Sequence, residues 1–125
     1  MNNERNIVGW FEIYVQDMAR AKKFYEHTFQ VTLQKLDSGG IELWAFPMMP
    51  DKPGCPGALA RMPGKDSGTG GTIIYFHTAD CAVEAARAVA AGGRIQREKM
   101  SIGQHGFIVL AYDTEGNMIG LHSMK

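Results

Sequence analysis

Residues 7–15 alternate between two kinds of side chain, with Phe11, Ile13 and Val15 on one parity and Trp10, Glu12 and Tyr14 on the other. Successive side chains of a strand point to opposite faces, so these parities are two surfaces. The first is apolar and suits packing beneath a helix. The second sets a carboxylate between an indole and a phenol, a mixture that suits a site better than a core. Asp17 ends the strand, and its carboxylate can accept from the free N–H groups of a following helical turn. The pattern returns about half the chain later. There Ile74, Phe76 and Thr78 match the apolar parity, Ile73, Tyr75 and His77 match the mixed one, and Asp80 is the second cap. Two copies of one pattern read as an internal duplication.

After Asp17 a helix is expected to about Phe29, because Met18, Ala21, Tyr25 and Phe29 recur at steps of three and four, while Arg20, Lys22, Lys23 and Glu26 face away. Phe24 widens the apolar stripe. Residues 31–36 read as extended, Asp37-Ser38-Gly39-Gly40 as a turn, and residues 41–48, with Trp44 and Phe46, as a third strand. Pro47, Pro50, Pro53 and Pro56 make the next segment a loop, and residues 58–62 form a short closing strand. The glycine-rich residues 63–71 read as a flexible linker. Their Gly64-Lys65 pair is no phosphate-binding loop, since Asp66 follows it and a strand comes next. The second half repeats the plan: strand 72–78, an alanine-rich helix 81–91 stopped by Gly92-Gly93, strands 94–100 and 105–112, a turn at 113–116, and a last strand 117–122. Each half is βαβββ. The chain, residues 1–125, is thus one domain of two modules, 7–62 and 72–125, with Phe11, Ile13, Val15, Ile74 and Phe76 expected under the helices.

Composition narrows the function. At 125 residues the chain can bury a core but not two independent ones. Thirteen Lys and Arg balance thirteen Asp and Glu, and no basic patch interleaves with aromatics, so no nucleic-acid partner is expected. No apolar run is long enough to span a bilayer and residues 1–6 lack a signal core, so no membrane partner is expected and a cytoplasmic location follows. Cys55 and Cys81 have no metal-ligand spacing and read as free thiols.

Two stretches carry a resemblance. Asp17-Met18-Ala19-Arg20-Ala21-Lys22-Lys23-Phe24-Tyr25 is similar to the Asp-x-x-Arg-Ala-x-x-Phe-Tyr helix of the vicinal oxygen chelate superfamily, which includes glyoxalase I, bleomycin-resistance proteins and extradiol dioxygenases. Asp113-Thr114-Glu115-Gly116-Asn117 is similar to its Asp-Pro-x-Gly-Asn turn. Both motifs are scaffold, and they speak for fold rather than reaction. The resemblance covers nearly the whole chain and implies an α+β fold in which two βαβββ modules form a curled mixed sheet with an internal cup, and a homodimer. It also implies metal ligands on the first and last strand of each module. Those positions here are Trp10, Ile73 and, near the closing strands, Ala60 and Gly120, none of which can ligate a divalent ion. No cofactor is therefore expected; a divalent metal remains possible, but the family ligand positions are replaced.

The mixed parities supply the candidates. Glu12 is a candidate general base, since desolvation on an enclosed face favours its neutral form; a carboxylate hydrogen-bonded at a sheet rim is the plainer alternative. His77 and His122, the latter two residues beyond Gly120 and so on its parity, are candidate ligand-binding groups or satisfied core histidines. Trp10, Tyr14 and Tyr75, with Trp44, offer contact area. Glu12, His77 and His122 together are a 2-His-1-carboxylate inventory, but no tight metal is expected from them. Met48, Met49, Met62, Met100 and Met118 suit an adaptable pocket or simple core filling. Two functions follow. One is a glyoxalase/bleomycin-resistance-like protein that binds a small amphiphilic or aromatic molecule in its cup without metal. The alternative is a lyase or isomerase related to glyoxalase I, with Glu12 as base.

Overall fold

Asp17 and Asp80 both open helices, and each does so by capping. In the computed structural model, which describes residues 5–37 and 40–125, the Asp17 carboxylate accepts from Arg20 N at 3.0 Å and the Asp80 carboxylate from Ala82 N at 3.0 Å. Each satisfies an N–H that the helix itself cannot. The turn expected at 37–40 contains residues 38 and 39 and lies outside the described residues. The chain falls into two compact units, residues 10–72 and a second made of 73–125 with the residues up to Gly9.

The elements of the first unit are β1 (Val8–Tyr14, whose last five residues belong here), α1 (Met18–Phe29), β2 (Gln34–Leu36), β3 (Glu42–Ala45) and β4 (Gly57–Arg61). β1 runs parallel to β4, with Phe11 opposite Gly57 and Tyr14 opposite Ala60. β4 pairs antiparallel with β3, and β3 with β2. A parallel pair needs a long crossover, and α1 with β2 and β3 supplies it. Ile13 and Val15 meet Met18, Ala21, Tyr25, Leu33 and Leu59 in one apolar cluster, as their parity predicts. Phe11 lies 5.8 Å from Phe46 between ring centroids, and Tyr25 makes an edge contact with Phe46 at 5.7 Å. The helix ends at Gln30, a non-glycine residue in the left-handed region (φ 54°). Its side chain donates to His27 O, and Glu26 beyond it accepts from Leu33 N at 2.9 Å, so the exit from α1 is tied on both sides.

The second unit holds β5 (Thr72–His77, from Ile73 on), α2 (Cys81–Ala90), β6 (Arg94–Ser101), β7 (Phe107–Tyr112) and β8 (Met118–Ser123). β5 runs parallel to β8, with Tyr75 opposite Gly120 and His77 opposite His122; β8 pairs antiparallel with β7, and β7 with β6. Cys81, Ala85, Val109 and Leu121 form the core, joined by Phe76, Ile95, Phe107 and Ile119. Each half is therefore an α+β unit of βαβββ order on mixed strands. Two expectations change. Ile74 is 36% exposed rather than covered, because α2 packs over β6, β7 and β8 and leaves this part of β5 bare. The strand expected from His105 starts at Phe107, since Gly103–His105 turn as a short 3₁₀ helix and Gly106 (φ 100°) breaks the path. The 113–117 turn is held by Asp113, which accepts from the N–H groups of Glu115 and Asn117 at 2.8 and 2.9 Å and from the Asn117 side chain at 3.1 Å.

Gly57 carries a test of this packing. The Phe11 ring lies flat over it, so that a Cβ there would sit 2.3 Å from the ring. Gly57→Ala is expected to force Phe11 out of its place against Phe46 and to destabilise the fold by about 1–3 kcal/mol. Urea denaturation would show it; an unchanged midpoint would mean that Phe11 is not held there.

Candidate functional site

Residues two apart on a strand share a face about 7 Å apart, within reach of long side chains. β1 uses this spacing twice. Trp10 Nε1 donates to Glu12 Oε2 at 3.1 Å, and the Tyr14 hydroxyl donates to Glu12 Oε1 at 2.9 Å, so each carboxylate oxygen accepts one hydrogen bond. Glu12 is 6% exposed and Tyr14 3%. The neighbouring positions on this face are Ala58, Ala60, Leu43 and Ala45, all buried and mostly small. A carboxylate among them survives because two donors are aimed at it. Burial pushes the Tyr14 phenol far above its ordinary pKa, and the Glu12 charge and hydrogen bond push the same way, so Tyr14 stays a donor.

The linker contributes here too. Far from hanging loose, it is fastened to the end of β1: Tyr14 N donates to Gly71 O at 2.7 Å, and Lys65 Nζ donates to Gly70 O at 2.7 Å. The Lys65 ammonium stands 5.7 Å from the Tyr14 ring centroid. Sequence reasoning passed over Lys65 because its Gly-Lys context matched no phosphate loop. Trp44 is a correction. It packs with Ile13 and Leu59 on the α1 side, with Lys22 Nζ 3.5 Å from its ring and its indole donating to Glu42 at 3.1 Å, so it faces away from Glu12. Residue 44 lies opposite Leu59, and Leu59 opposite Ile13, a register no sequence pattern announced.

In the second unit Tyr75, His77 and His122 share one face. His77 and His122 are register partners on β5 and β8, with ring centroids 6.2 Å apart and planes at 70°. His122 Nε2 lies 2.5 Å from His105 O; a carbonyl only accepts, so Nε2 carries the proton. His77 N donates to Ile7 O at 2.7 Å, and its ring lies over Gly9, where a Cβ would collide with Nε2. Tyr75 is buried with its ring over Gly120, where a Cβ would sit 2.2 Å away. Burial first, then the positive Arg5 and His122, holds the His77 imidazole below its ordinary pKa. Arg5 and His105 were missed as site groups. Arg5 sits in a polar arm without a pattern, and His105 acts through its main chain, which no side-chain motif marks.

A metal does not fit the positions the resemblance implies. Trp10 spends its indole on Glu12, Ile73 is fully buried, Ala60 lies beside Tyr14, and Gly120 lies beneath Tyr75; none presents a ligand atom. Among the described residues no group of three or more His, Cys, Asp or Glu could hold a metal ion. In the same residues no helix is long and apolar enough to cross a membrane.

Two expectations follow. Tyr14→Phe removes one of the donors to a buried carboxylate and is expected to cost about 1.5–3 kcal/mol in urea denaturation; a loss below half a kcal/mol would show that Glu12 does not depend on the phenol. For His77 the folded pKa lies below the unfolded value of 6.5, so below that value the unfolded chain binds more protons. Its contribution to stability is intact above pH 6.5 and is lost as pH falls from there through the lower folded value. His77→Gln is expected to flatten this part of the stability–pH curve, and a curve of unchanged slope would contradict the assignment.

The sequence matches the Glyoxalase/Bleomycin resistance protein/Dioxygenase superfamily over residues 7–121. No curated protein is a significant match. Among solved structures, methylmalonyl-CoA epimerase from Mycobacterium tuberculosis is similar in fold at 16% identity and TM-score 0.69, over 95% of this chain and 88% of that one. A variant of the Streptomyces coelicolor methylmalonyl-CoA epimerase in complex with 2-nitronate-propionyl-CoA has 21% identity and TM-score 0.66, over 94% and 96%. A hypothetical protein from Bacillus halodurans has 11% identity and TM-score 0.70, over 94% of each chain. At these identities the likeness is one of fold. With its family match running from the first strand into the last, the chain belongs to the Glyoxalase/Bleomycin resistance protein/Dioxygenase superfamily.

Proposed function

We propose that this protein binds a small amphiphilic or aromatic molecule without a metal, with Glu12 taking a polar group of the ligand and Trp10 and Tyr14 flanking it. Within the second unit, Tyr75, His77 and His122 are proposed by themselves as ligand contacts. The observation that carries it is Glu12 itself, a carboxylate buried to 6% exposure that accepts from an indole and a phenol. The cost of burying such a group makes it a candidate for function. Aromatic faces beside one oriented polar group are also what small-molecule sites are made of. The proposal extends to a cytoplasmic homodimer with no nucleic-acid partner, the last supported by the balanced charge.

One further observation favours the second reading, a lyase or isomerase related to glyoxalase I with Glu12 as general base: epimerases stand among the structural neighbours, and one was solved in complex with 2-nitronate-propionyl-CoA. A base there would take a proton from the carbon next to a carbonyl and return it.

A panel of aromatic amphiphiles and acyl-CoA thioesters, read by tryptophan fluorescence, tests the pair. At least one compound is expected to quench saturably, and Glu12→Gln to weaken it about tenfold or more while the thermal transition survives. Equal affinity in the variant would remove Glu12 from the site. Solvent deuterium appearing in a bound thioester, and lost in Glu12→Gln at unchanged affinity, would establish the base instead.

A further inference from the structure

The imidazole pair of the second unit has a charge character that the binding proposal leaves unused. His77 and His122 sit side by side because their strands pair in register, and both rings are half-buried. His122 donates through Nε2 to the His105 carbonyl, which leaves Nδ1 as its second ring nitrogen: an acceptor when neutral, a donor when protonated. Among the described residues neither ring nitrogen of His77 has a hydrogen-bond partner. The groups around His77 can be named element by element. The N-terminal arm brings Arg5, β8 brings His122, the 3₁₀ turn brings the His105 carbonyl to His122, and β1 brings only the backbone of Gly9. Ile108 on β7, opposite His122, adds an apolar neighbour. The charges that act on His77 are Arg5 and His122, both of positive sign.

We infer that the His77 and His122 pair forms a seat for an anionic group, a carboxylate or a phosphate. This rests on the proposal above that Tyr75, His77 and His122 are ligand contacts of the second unit, and it names the chemistry of one group of that ligand. Two cationic or cationisable side chains around a partnerless imidazole repel one another until an anion arrives, after which the same charges attract. A metal cation is the competing occupant for two imidazoles, and it fails on two counts. Arg5 repels it, and no third His, Cys, Asp or Glu among the described residues completes a donor set. Tyr75 lies two residues before His77 on the same face, with its ring over Gly120, so an apolar body attached to the anion has an aromatic surface beside it.

Linkage gives the signature. His77 is held below its ordinary pKa by burial and by the two positive neighbours, so an anion that favours its protonated form must raise that pKa, and lowering the pH must tighten the anion.

The test is a pH titration of the histidine ring signals by NMR on the intact protein, at one ionic strength, in chloride, acetate and inorganic phosphate. Phosphate or acetate is expected to raise the His77 midpoint by roughly one unit over chloride; the arm with the larger shift identifies the source of the charge. Arg5→Gln, on an exposed arm, is expected to raise the His77 midpoint in chloride and to weaken the phosphate effect several-fold. Midpoints identical in all three salts would overturn the seat, as would stoichiometric zinc broadening both rings where phosphate does nothing. An amphiphile that quenches tryptophan while leaving both rings unmoved would overturn the seat alone and leave the binding proposal standing. Phosphate moving His77 while no panel compound quenches would sink that proposal instead.

Discussion

In both units the first strand lies parallel to the last, β1 on β4 and β5 on β8, and this pairing is the constraint the rest obeys. Parallel neighbours cannot be joined by a hairpin, so each unit must spend a helix and two strands on returning the chain to its starting edge. The cap aspartates follow from that need, because the helix has to start at once when the first strand ends. The pairing also sets what each strand can carry. The first strands bear large side chains and the last strands bear small ones beside them: Phe11 over Gly57, Tyr14 beside Ala60, Tyr75 over Gly120. Aromatic rings laid across a neighbouring glycine gain contact that the glycine cannot offer itself. A side chain on Gly57 or Gly120 would evict the ring.

The α2 cap shows how the closing strand returns the favour. Asp80 accepts from Ala82 N and is bridged by Lys99 at 2.9 Å, while Ser123 of β8 accepts from Cys81 N at 2.9 Å. Two oxygens from opposite ends of the unit thus satisfy the first N–H groups of one helix. Ser123 is 2% exposed, so its hydroxyl has no water to fall back on, and it also donates to Lys125 O. The same strand that lends Ser123 to the helix presents His122 on the other face. Period-two alternation lets β8 serve the core and the imidazole pair with consecutive residues.

Much of this was legible from residue order. Alternation separated the helix face of β1 from the Glu12 face, and the two cap aspartates located both helices, because those signals are local and the chain obeys them locally. Ile74 and Trp44 escaped for a different reason. Parity says which face a residue occupies but not where along the sheet its helix lies; α2 shifts towards β6–β8 and leaves Ile74 bare. Trp44 sits on β3, whose facing depends on register with β4, and register is a non-local quantity. Arg5, Lys65 and the His105 carbonyl were hidden for the same cause. Each meets its partner through a loop or arm, or through main chain, where no period exists to read.

The polar groups of this chain stand further along their strands than the positions the resemblance implies, on the same faces. Relative to the positions where the family resemblance implies metal ligands, Glu12 is two residues past Trp10, His77 four past Ile73, and His122 two past Gly120. Steps of two or four keep parity, so each donor still points to the face its implied predecessor would have used, displaced by about 7 or 14 Å along it. Trp10 turns its indole to Glu12, and Gly120 makes room for Tyr75, so the implied ligand positions orient or accommodate neighbouring side chains. Unequal steps on β5 and β8 also fit the register, since they bring His77 level with His122. A metal centre needs donors that meet at a point, whereas side chains level on two strands and flanked by aromatic rings make a row. The row follows from the pairing, which sets His77 beside His122 and lays the Tyr75 ring over Gly120.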